Sequence, residues 1–369
     1  MEVDARVEAW VSLQLLHDLP SRTLVGLLKH FGGPVELRAA SRQSLAKLVS
    51  TEVAAAIERG PDPRKLETAL SWLREPGHAL AAWGDADYPA ALLSIPDPPP
   101  VFYYVGRREL LNLPAVAIVG SRNATPQGVE HAEAFGAALS AAGLTIVSGL
   151  ASGIDAAAHR GGLSAVGSSI AVVGTGLDRV YPTSNSELAA QLERDGGLLS
   201  EFALGTPPLP ENFPRRNRVI SGLSRGVLVV EATLNSGSLI TARLAAEQGR
   251  EVFAIPGSIH SPFSKGAHRL IREGAKLVET AQDVLEELGT DVATRSSENA
   301  RPPAATQAVP DASAPSGRVL TALGHDPAGI DLLARRTGLG AEVITVALVE
   351  LELADRVIAL PGGLYQRRG

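Results

Sequence analysis

Six short apolar runs in the middle of the chain constrain its fold more than any other sequence feature. Alanine-rich stretches of helical length, such as residues 129–142 and 239–248, separate most of these runs. Strands that alternate with helices predict right-handed βαβ crossovers and a parallel sheet covered on both faces. The predicted strands are residues 116–119, 144–147, 170–173, 198–200, 227–230 and 252–255, and one further strand is predicted at residues 101–105, in the irregular stretch that precedes them.

This alternation predicts an α/β fold with a Rossmann-like, doubly wound parallel sheet over residues 78–288. Residues 1–77 carry apolar side chains at helical spacing and no strand pattern, which predicts a small helical domain. Residues 289–317 contain too few large apolar side chains for a core, so they are predicted to form a flexible linker. Residues 318–369 predict three helices, at residues 318–323, 328–336 and 341–352, followed by a β-hairpin, which is the pattern of a winged helix.

The composition excludes several classes of protein. The 34 basic and 40 acidic residues give a net charge of −6, and 45% of residues are hydrophobic, which is typical of a globular protein rather than a disordered one. The chain has no cysteine, which excludes disulfides, iron–sulfur clusters and thiolate zinc sites. No apolar stretch reaches about 18 residues, and the acidic start differs from a signal peptide, so we expect a cytoplasmic protein with no membrane partner.

Small residues follow five of the predicted strands, at the edge where doubly wound sheets bind their ligands. Glycine lets backbone amides approach a ligand closely, and helix N-termini favour anions, so these turns predict phosphate binding. The alternative is that strand-to-helix turns need glycine whatever they bind. The candidates in and just after these turns are Gly120, Ser121, Arg122, Ser236, Gly237, Ser238, Thr241, Gly257 and Ser258.

The common nucleotide-binding loops are missing from the sequence. Residues 174–179 lack the third glycine of the G-x-G-x-x-G dinucleotide motif, and residues 120–122 lack the second. No G-x-x-x-x-G-K-[ST] motif occurs either. We therefore predict no cofactor, which leaves a nucleotide-like or polynucleotide phosphate chain as the expected ligand.

Residues 213–218, with the sequence Phe-Pro-Arg-Arg-Asn-Arg, form a basic segment in an acidic chain. Four arginines and one glutamate between residues 211 and 225 give this stretch a net charge of 4 − 1 = +3. An aromatic ring can stack on an unpaired base while guanidinium groups hold phosphates, so the segment predicts binding of single-stranded nucleic acid. The alternatives are a solvated loop, a ring that fills a core gap, or arginines paired at the buried end of the sheet. The candidates are Phe213, Arg215, Arg216, Asn217 and Arg218.

This hypothesis requires Arg122 and Phe213 to lie on the same side of the molecule. It also predicts that the double substitution Arg122→Glu and Arg216→Glu removes oligonucleotide binding while the fold survives.

Asp155 and His159 are four residues apart and therefore share one face of a predicted helix. Such a pair could bind a metal or transfer a proton, but support of the helix start and a structural hydrogen bond are the favoured roles. No second histidine or carboxylate completes a metal site, and Glu231 at a strand end has no evident partner. We therefore predict no catalytic residues and no metal, so the chain is not expected to be an enzyme.

Seven segments, in order along the chain, resemble the DNA-processing protein A family (DprA, also called Smf). They cover about 165 residues of the central region. The segments are residues 116–122, 148–159, 176–182, 213–223, 231–242, 253–258 and 270–275.

The resemblance implies a protein that binds single-stranded DNA entering the cell in natural transformation, protects it, and helps to load the RecA recombinase. It implies a homodimer formed through the Rossmann-like domain, and no catalysis. The family's phosphate-contacting Gly-Ser-Arg turn corresponds to residues 120–122. Its Phe-Pro-x-Arg-Asn segment, which lies in the DNA pocket, corresponds to Phe213, Arg216 and Asn217, and Lys265 is a candidate from position alone.

The flanking regions depart from the family pattern. The N-terminal region of the family resembles a SAM or helix–hairpin–helix domain, but residues 16–21 here lack the hairpin glycines and contain Asp18, so we expect no phosphate site there. In the tail, the presumed recognition helix at residues 341–355 contains four acidic residues and no lysine or arginine. Such a helix repels phosphates, so the tail is predicted to bind protein rather than DNA. The acidic residues are Glu342, Glu350, Glu352 and Asp355.

Two other functions fit the sequence less well. A Rossmann-like nucleotide hydrolase of the lysine-decarboxylase-like (LOG) type would carry a Pro-Gly-Gly-x-Gly-Thr loop, but Pro-Gly-Gly occurs here only at residues 361–363, in the tail. A transcriptional regulator would bind duplex DNA through the winged helix, which the acidic recognition helix disfavours.

Overall fold

A computed structural model describes residues 4–16, 19–289, 314–324 and 327–368. The chain divides into two compact units, Met1–Asp291 and Val292–Gly369. Most of the predicted linker (residues 290–313) lies outside the described residues, and so do residues 17 and 18 of the segment compared with the family hairpin. No described helix is both long enough and apolar enough to cross a bilayer.

The first unit begins with six helices that pack against one edge of the sheet. Local signals set their limits: Asp62 caps the sixth helix, and Gly32 ends the second in a left-handed conformation with φ of 94°. Trp10 and Leu13 belong to the same core cluster as Tyr103, which lies in the strand next to the edge of the sheet, so this helical region and the sheet share a core. The helices are α1 Ala5–Gln14, α2 Ser21–Phe31, α3 Pro34–Ala39, α4 Arg42–Leu45, α5 Thr51–Arg59 and α6 Pro63–Leu73.

The rest of the first unit contains nine strands and eight helices among the described residues. All six central strands predicted from the sequence are present, to within one residue at each end. The elements are β1 His78–Ala82, α7 Ala90–Leu93, β2 Val101–Gly106, β3 Ala115–Val119, α8 Pro126–Ala141, β4 Thr145–Ser148, α9 Ile154–Leu163, β5 Ser169–Val172, α10 Ser186–Asp195, β6 Gly197–Ser200, α11 Asn212–Leu223, β7 Gly226–Val229, α12 Ser238–Glu247, β8 Glu251–Ala254, α13 Lys265–Arg272, β9 Lys276–Leu277 and α14 Ala281–Glu287.

These strands form one sheet in the order β1-β2-β6-β5-β4-β3-β7-β8-β9. In this order, every neighbouring pair from β6 through β5, β4, β3, β7 and β8 to β9 is parallel. β1 and β2 add an antiparallel edge next to β6. Buried side chains from α11, α12 and α13 cover one face, and those from α8, α9 and α14 cover the other. The predicted doubly wound, Rossmann-like fold is thus confirmed, with the antiparallel edge as an addition.

The second unit is a winged helix, as predicted. Its sheet has the order β10-β12-β11, and it has its own core around Leu320, Leu333 and Leu348. Two limits differ from the prediction: the first helix begins at Pro315 rather than residue 318, and Ala328–Gly329 pairs with β12 instead of starting a helix. The elements are α15 Pro315–Leu323, β10 Ala328–Gly329, α16 Ile330–Thr337, α17 Ala341–Leu353, β11 Val357–Leu360 and β12 Leu364–Arg367.

Candidate nucleic-acid interface

A cleft of about 680 Å³ opens at the carboxyl edge of the sheet, beside β3 and β7. From β3 the chain builds outward through β4, β5 and β6, then crosses back and places β7 on the other side of β3. Such a reversal of strand order separates the loops on either side and leaves a crevice for a ligand. The predicted residues that line the cleft are Gly120, Ser121, Arg122, Phe213, Arg216, Asn217, Ser236, Gly237, Ser238 and Thr241.

The turn after β3 forms one wall of the cleft and presents Arg122 to solvent. The N-terminus of α9 holds this turn in place, because Ile154 N donates to Ser121 O over 3.2 Å. Gly153 makes the close approach possible: its φ is +73°, and a Cβ there would lie 2.7 Å from Arg122 O. Only glycine tolerates both the backbone conformation and the contact.

Arg216 of α11 lies buried at the floor of the cleft. Its Nη1 donates to Gly149 O over 2.6 Å and also to Val172 O, and its Nε has no acceptor among the described residues. Burial lowers the pKa of Arg216 to about 10, partly opposed by Asp155, so the guanidinium stays charged at neutral pH. A buried cation with an unused donor attracts an anion to the cleft.

Because Arg216 is buried, one prediction from the sequence needs correction. We expected Arg122→Glu with Arg216→Glu to leave the fold intact, but a glutamate at position 216 would lie against two carbonyl oxygens and near Asp155. Gly149 shows how tightly this site is packed, since an added Cβ there would contact the Arg216 guanidinium, 2.6 Å from Cζ. Arg122 alone is the appropriate position for a charge reversal.

Asp155 supports the loop beside Arg216. Its carboxylate accepts hydrogen bonds from Gly149 N at 3.2 Å and Ala151 N at 3.4 Å. Burial raises the pKa of Asp155, while the Arg216 charge and these donors act in the opposite direction. Asp155 therefore has the structural role that the sequence favoured, at the start of α9.

His159 is also part of this support. Its Nε2 accepts from Leu150 N at 3.2 Å, and its Nδ1 donates to Ser169 Oγ at 2.7 Å, because the hydroxyl itself donates to Ile146 O. Leu150 has φ of 56°, a costly conformation for a residue with a side chain, and the hydrogen bond that its N–H donates to His159 stabilises it. Burial lowers the pKa of His159 to about 3, so the ring is neutral at pH 7.

The buried neutral His159 is expected to make the protein sensitive to mild acid. A histidine in the unfolded chain binds a proton near pH 6.5, whereas the folded site does not until about pH 3. Stability is therefore lost as pH falls below 6.5, by about 1.4 kcal/mol per pH unit from this residue. Urea unfolding between pH 7.5 and 5 should show that His159→Gln has a shallower loss than the exposed control His260→Gln. Equal slopes in both variants would contradict this role.

Aromatic rings line the mouth of the cleft beside the arginines. The Cζ atom of Arg122 lies 5.2 Å from the centroid of the Phe213 ring, and that of Arg216 lies 6.0 Å away. The ring of Tyr181, which is 44% exposed, lies 5.8 Å from that of Phe213. Arg122 and Phe213 therefore lie side by side, as the hypothesis from the sequence requires.

The turn after β7 and the N-terminus of α12 form the opposite wall. Ser236 Oγ and Ser238 Oγ are 2.7 Å apart, and Thr241 lies one turn further along the helix. Gly237 at the N-cap gives α12 no side-chain cap. The first amides are engaged within the turn itself, since Ser238 N donates to Ser236 Oγ over 3.4 Å and Leu239 N donates to Ser236 O over 3.1 Å. The serine hydroxyls and the positive end of the helix dipole at this wall favour a phosphate.

The other predicted site residues do not line the cleft. Arg215 and Arg218 point to the buried carboxylate of Glu201, with nitrogen–oxygen distances of 3.2 and 2.6 Å. Lys265 Nζ donates to Ile259 O, and Ser258 Oγ accepts from His260 N. Gly257 packs under Ser264, so the turn after β8 closes on itself.

Arg218 matches the alternative interpretation of an arginine paired inside the protein. It is nearly buried and contacts Glu201 and Asp97. The net charge of the segment could not distinguish it from Arg216, because both arginines come from the same helix and differ only in the face they occupy.

Several cleft residues were not predicted. Tyr181 belongs to one of the segments that resemble the family, but its sequence position lies far from Phe213 and nothing in the local pattern links the two rings. Pro208 and Pro210 come from the irregular stretch before α11, which has no periodic signal. The additional lining residues are Val119, Asn123, Ala151, Asp155, Tyr181, Pro208, Pro210, Pro214, Ile220, Thr233, Ile240 and Phe263.

Glu231, the remaining candidate acid, is engaged at the start of α8. Its carboxylate accepts from Thr125 N at 2.9 Å and from Thr125 Oγ1 at 2.6 Å. Across the described ranges, no cluster of three or more histidine, aspartate or glutamate side chains could hold a metal ion.

Comparison with known proteins gives a consistent result along the chain. Residues 79–289 match the family model for DNA recombination-mediator protein A, and residues 302–363 match the model for the DprA winged helix domain. Protein Smf of Escherichia coli is 44% identical over 310 residues, which cover 83% of this chain and 82% of that protein.

Two solved structures resemble the described fold. The X-ray structure of DNA processing protein A from Streptococcus pneumoniae is 39% identical, with a TM-score of 0.68, and the match covers 78% of this chain and 99% of the other. DNA processing protein A from Helicobacter pylori, whose structure concerns a single-stranded DNA binding mode, is 32% identical with a TM-score of 0.53. That match covers 57% of this chain and 96% of the other.

Proposed function

The chain belongs to the DNA recombination-mediator protein A family, and on this basis we propose that it acts in DNA processing by binding single-stranded DNA in the cleft beside β3 and β7. One observation carries the proposal: the charged side chains of Arg122 and Arg216 flank the ring of Phe213 at the point where the strand order reverses. In this arrangement, Arg122 and the positive N-terminal end of α12 hold phosphates, and Arg216 provides a buried positive charge beneath them.

The rings favour a single strand over a duplex. Phe213 and Tyr181 lie at the mouth of the cleft, with their centroids 5.8 Å apart. A ring can stack only on a base whose face is free, which is the case in a single strand and not inside a duplex. Stacking tolerates any base, so we expect little sequence preference.

We propose that the protein binds DNA without altering it chemically. The acidic and basic groups near the cleft are engaged in holding its loops: Asp155 with two amides, His159 with Leu150, and Glu231 with Thr125. The alternative of a nucleotide hydrolase has less support, since Pro361, Gly362 and Gly363 lie in the turn between β11 and β12 of the winged helix rather than at the edge of the large sheet.

The finer parts of the function follow from family membership. We propose that the protein protects single-stranded DNA that enters the cell in natural transformation, helps to load the RecA recombinase on it, and forms a homodimer through the Rossmann-like domain. A binding site that grips the strand by phosphates and stacked bases, and cleaves nothing, is suited to such a transfer. The acidic α17 supports the further proposal that the winged helix binds protein rather than DNA.

A titration of labelled oligo-dT and of a duplex of equal length tests the proposal. We expect the single strand to bind more tightly, with log K falling by roughly 0.7 per phosphate contact for each tenfold rise in salt. Phe213→Ala should weaken binding by about 1–3 kcal/mol, because one stacking contact is lost, and should leave the salt slope unchanged. Equal affinity of the protein for the single strand and the duplex would contradict the proposal. So would a Phe213→Ala variant that keeps its full affinity for oligo-dT and an unchanged melting temperature.

A further inference from the structure

The winged helix carries an exposed apolar surface on α17. α17 is apolar on two opposite faces: Ile344, Ala347, Leu348 and Leu351 are buried in the core of the second unit, while four other apolar side chains are exposed. A surface helix of a monomeric domain normally carries polar residues on its outer face, and a helix that is apolar on both faces has something packed against each. The exposed residues are Val343 (42%), Val346 (59%), Val349 (50%) and Leu353 (85%).

The exposed residues form a continuous stripe rather than scattered contacts. Val343, Val346 and Val349 follow one another at three-residue spacing, and Leu353 follows four residues later, so all lie on neighbouring positions of one face. Valine is a poor helix former because its branched Cβ restricts the side chain, so helix stability does not explain three valines at exposed positions. Packing against a partner does explain them.

A groove of about 380 Å³ continues this stripe towards the start of α15. Pro315 and Ser316 form one side, and Val343, Val346 and Ala347 form the other. The charged residues that line it are Glu342 and Glu350, and both are exposed. The surface is therefore an apolar strip with two glutamates set along it, since Glu342 and Glu350 each lie one turn from Val346. We call it the α17 face.

These features point to one kind of occupant. We propose that the α17 face binds an amphipathic helix of another protein, with apolar residues along one side and lysine or arginine beside them. Apolar side chains at helical spacing would fill the groove, and basic residues would pair with Glu342 and Glu350. DNA is excluded by the same glutamates, and a second copy of α17 would bring like charges together. The inference rests on the proposed protein-binding role of the winged helix and is independent of the DNA cleft.

The test uses the full chain and two synthetic peptides of about 18 residues, one of leucine and lysine and one of leucine and glutamate in the same amphipathic pattern. Fluorescence anisotropy should show saturable binding of the lysine peptide, with one peptide per chain, and none of the glutamate peptide. Val346→Asp with Leu353→Asp should weaken binding roughly tenfold or more, because apolar contact is lost. The exposed control Val166→Asp, with the same type of change on the first unit, should bind as the unchanged protein does.

The direction of the effect separates this proposal from simple charge attraction. Aspartates on the α17 face add negative charge, so attraction alone would strengthen binding of the lysine peptide, whereas the proposed packing weakens it. Glu342→Gln with Glu350→Gln should weaken binding and reduce its salt dependence. Three results would overturn the proposal. The lysine peptide could fail to bind, or the aspartate variant could bind it as tightly as the unchanged protein or more tightly. The chain could also form a concentration-dependent dimer that the aspartate variant abolishes. Oligo-dT binding, measured on the same samples, should be equal in all of these variants. If the protein bound no oligo-dT, that result would count against the DNA cleft and not against the α17 face.

Discussion

Arg122→Glu is expected to lower the affinity for single-stranded DNA by about 100-fold. Arg122 is exposed and makes no ion pair within the described part of the chain, so reversing its charge leaves the fold intact. The substitution removes a charge-assisted contact with a phosphate, worth about 1.5–3 kcal/mol, and adds repulsion. Each 1.4 kcal/mol corresponds to a tenfold change in affinity. Electrophoretic mobility shift with oligo-dT at several salt concentrations measures both the affinity and its salt slope, which should decrease by roughly 0.7.

Arg194→Glu provides a matched control. Arg194 is also exposed, but it lies in the last turn of α10, just before β6 begins, and so at the amino edge of the sheet, opposite the cleft. The two variants have the same net charge, and therefore the same overall repulsion of DNA. If both variants lost the same affinity, the effect would come from net charge and the assignment of Arg122 to the cleft would be wrong.

Arg216→Met is expected to destabilise the protein by about 3–5 kcal/mol and to abolish DNA binding. Methionine fills a similar volume but leaves Gly149 O and Val172 O without their donor and Asp155 without its neighbouring cation. Removal of one partner from a buried pair of charges has a cost of this size, because the other charge remains buried and unpaired. Urea unfolding, monitored by circular dichroism, measures the loss.

Asp155→Asn should restore part of the stability of Arg216→Met, because it removes the unpaired charge, yet it should not restore DNA binding. The pH dependence gives a second readout. Burial raises the pKa of Asp155 in the folded protein, and loss of Arg216 raises it further. Below the pKa of an aspartate in the unfolded chain, about 3.9, the carboxyl is neutral in both states and the substitution has no charge cost. Above the pKa of Asp155 in the folded protein, the carboxylate is charged and its full cost is felt. The destabilisation should therefore grow as pH rises from 4 to 8. Additive effects of the two substitutions would show that Asp155 and Arg216 are not coupled.

The sequence predicted the sheet well because each strand carries its own signal. A run such as residues 227–230 is buried on both faces in a parallel sheet and is therefore apolar throughout, which can be recognised without any knowledge of its neighbours. The strands that the sequence missed lie at the edges. β9 has two residues, and β1 depends on antiparallel pairing with β2.

The cleft was predicted less completely, since its residues come from separate parts of the chain. Arg122 and the serines before α12 follow strands and could be expected at one edge of the sheet. Tyr181 reaches Phe213 only through the fold. Local charge does not separate the arginines of the basic segment: Arg215 and Arg218 meet Glu201, and Arg216 faces the cleft.

By itself, then, the amino-acid sequence determined the doubly wound sheet, the winged helix and the edge of the sheet at which the cleft opens, because alternating apolar runs and strand-end glycines act over short distances along the chain. The tertiary structure decided which charges face that cleft. Arg216 and Arg218 are two residues apart on one helix, yet one lies beneath Phe213 and the other against Glu201 and Asp97. That difference depends on which side of α11 faces the sheet and on carboxylates far away in sequence, so no local pattern contains it.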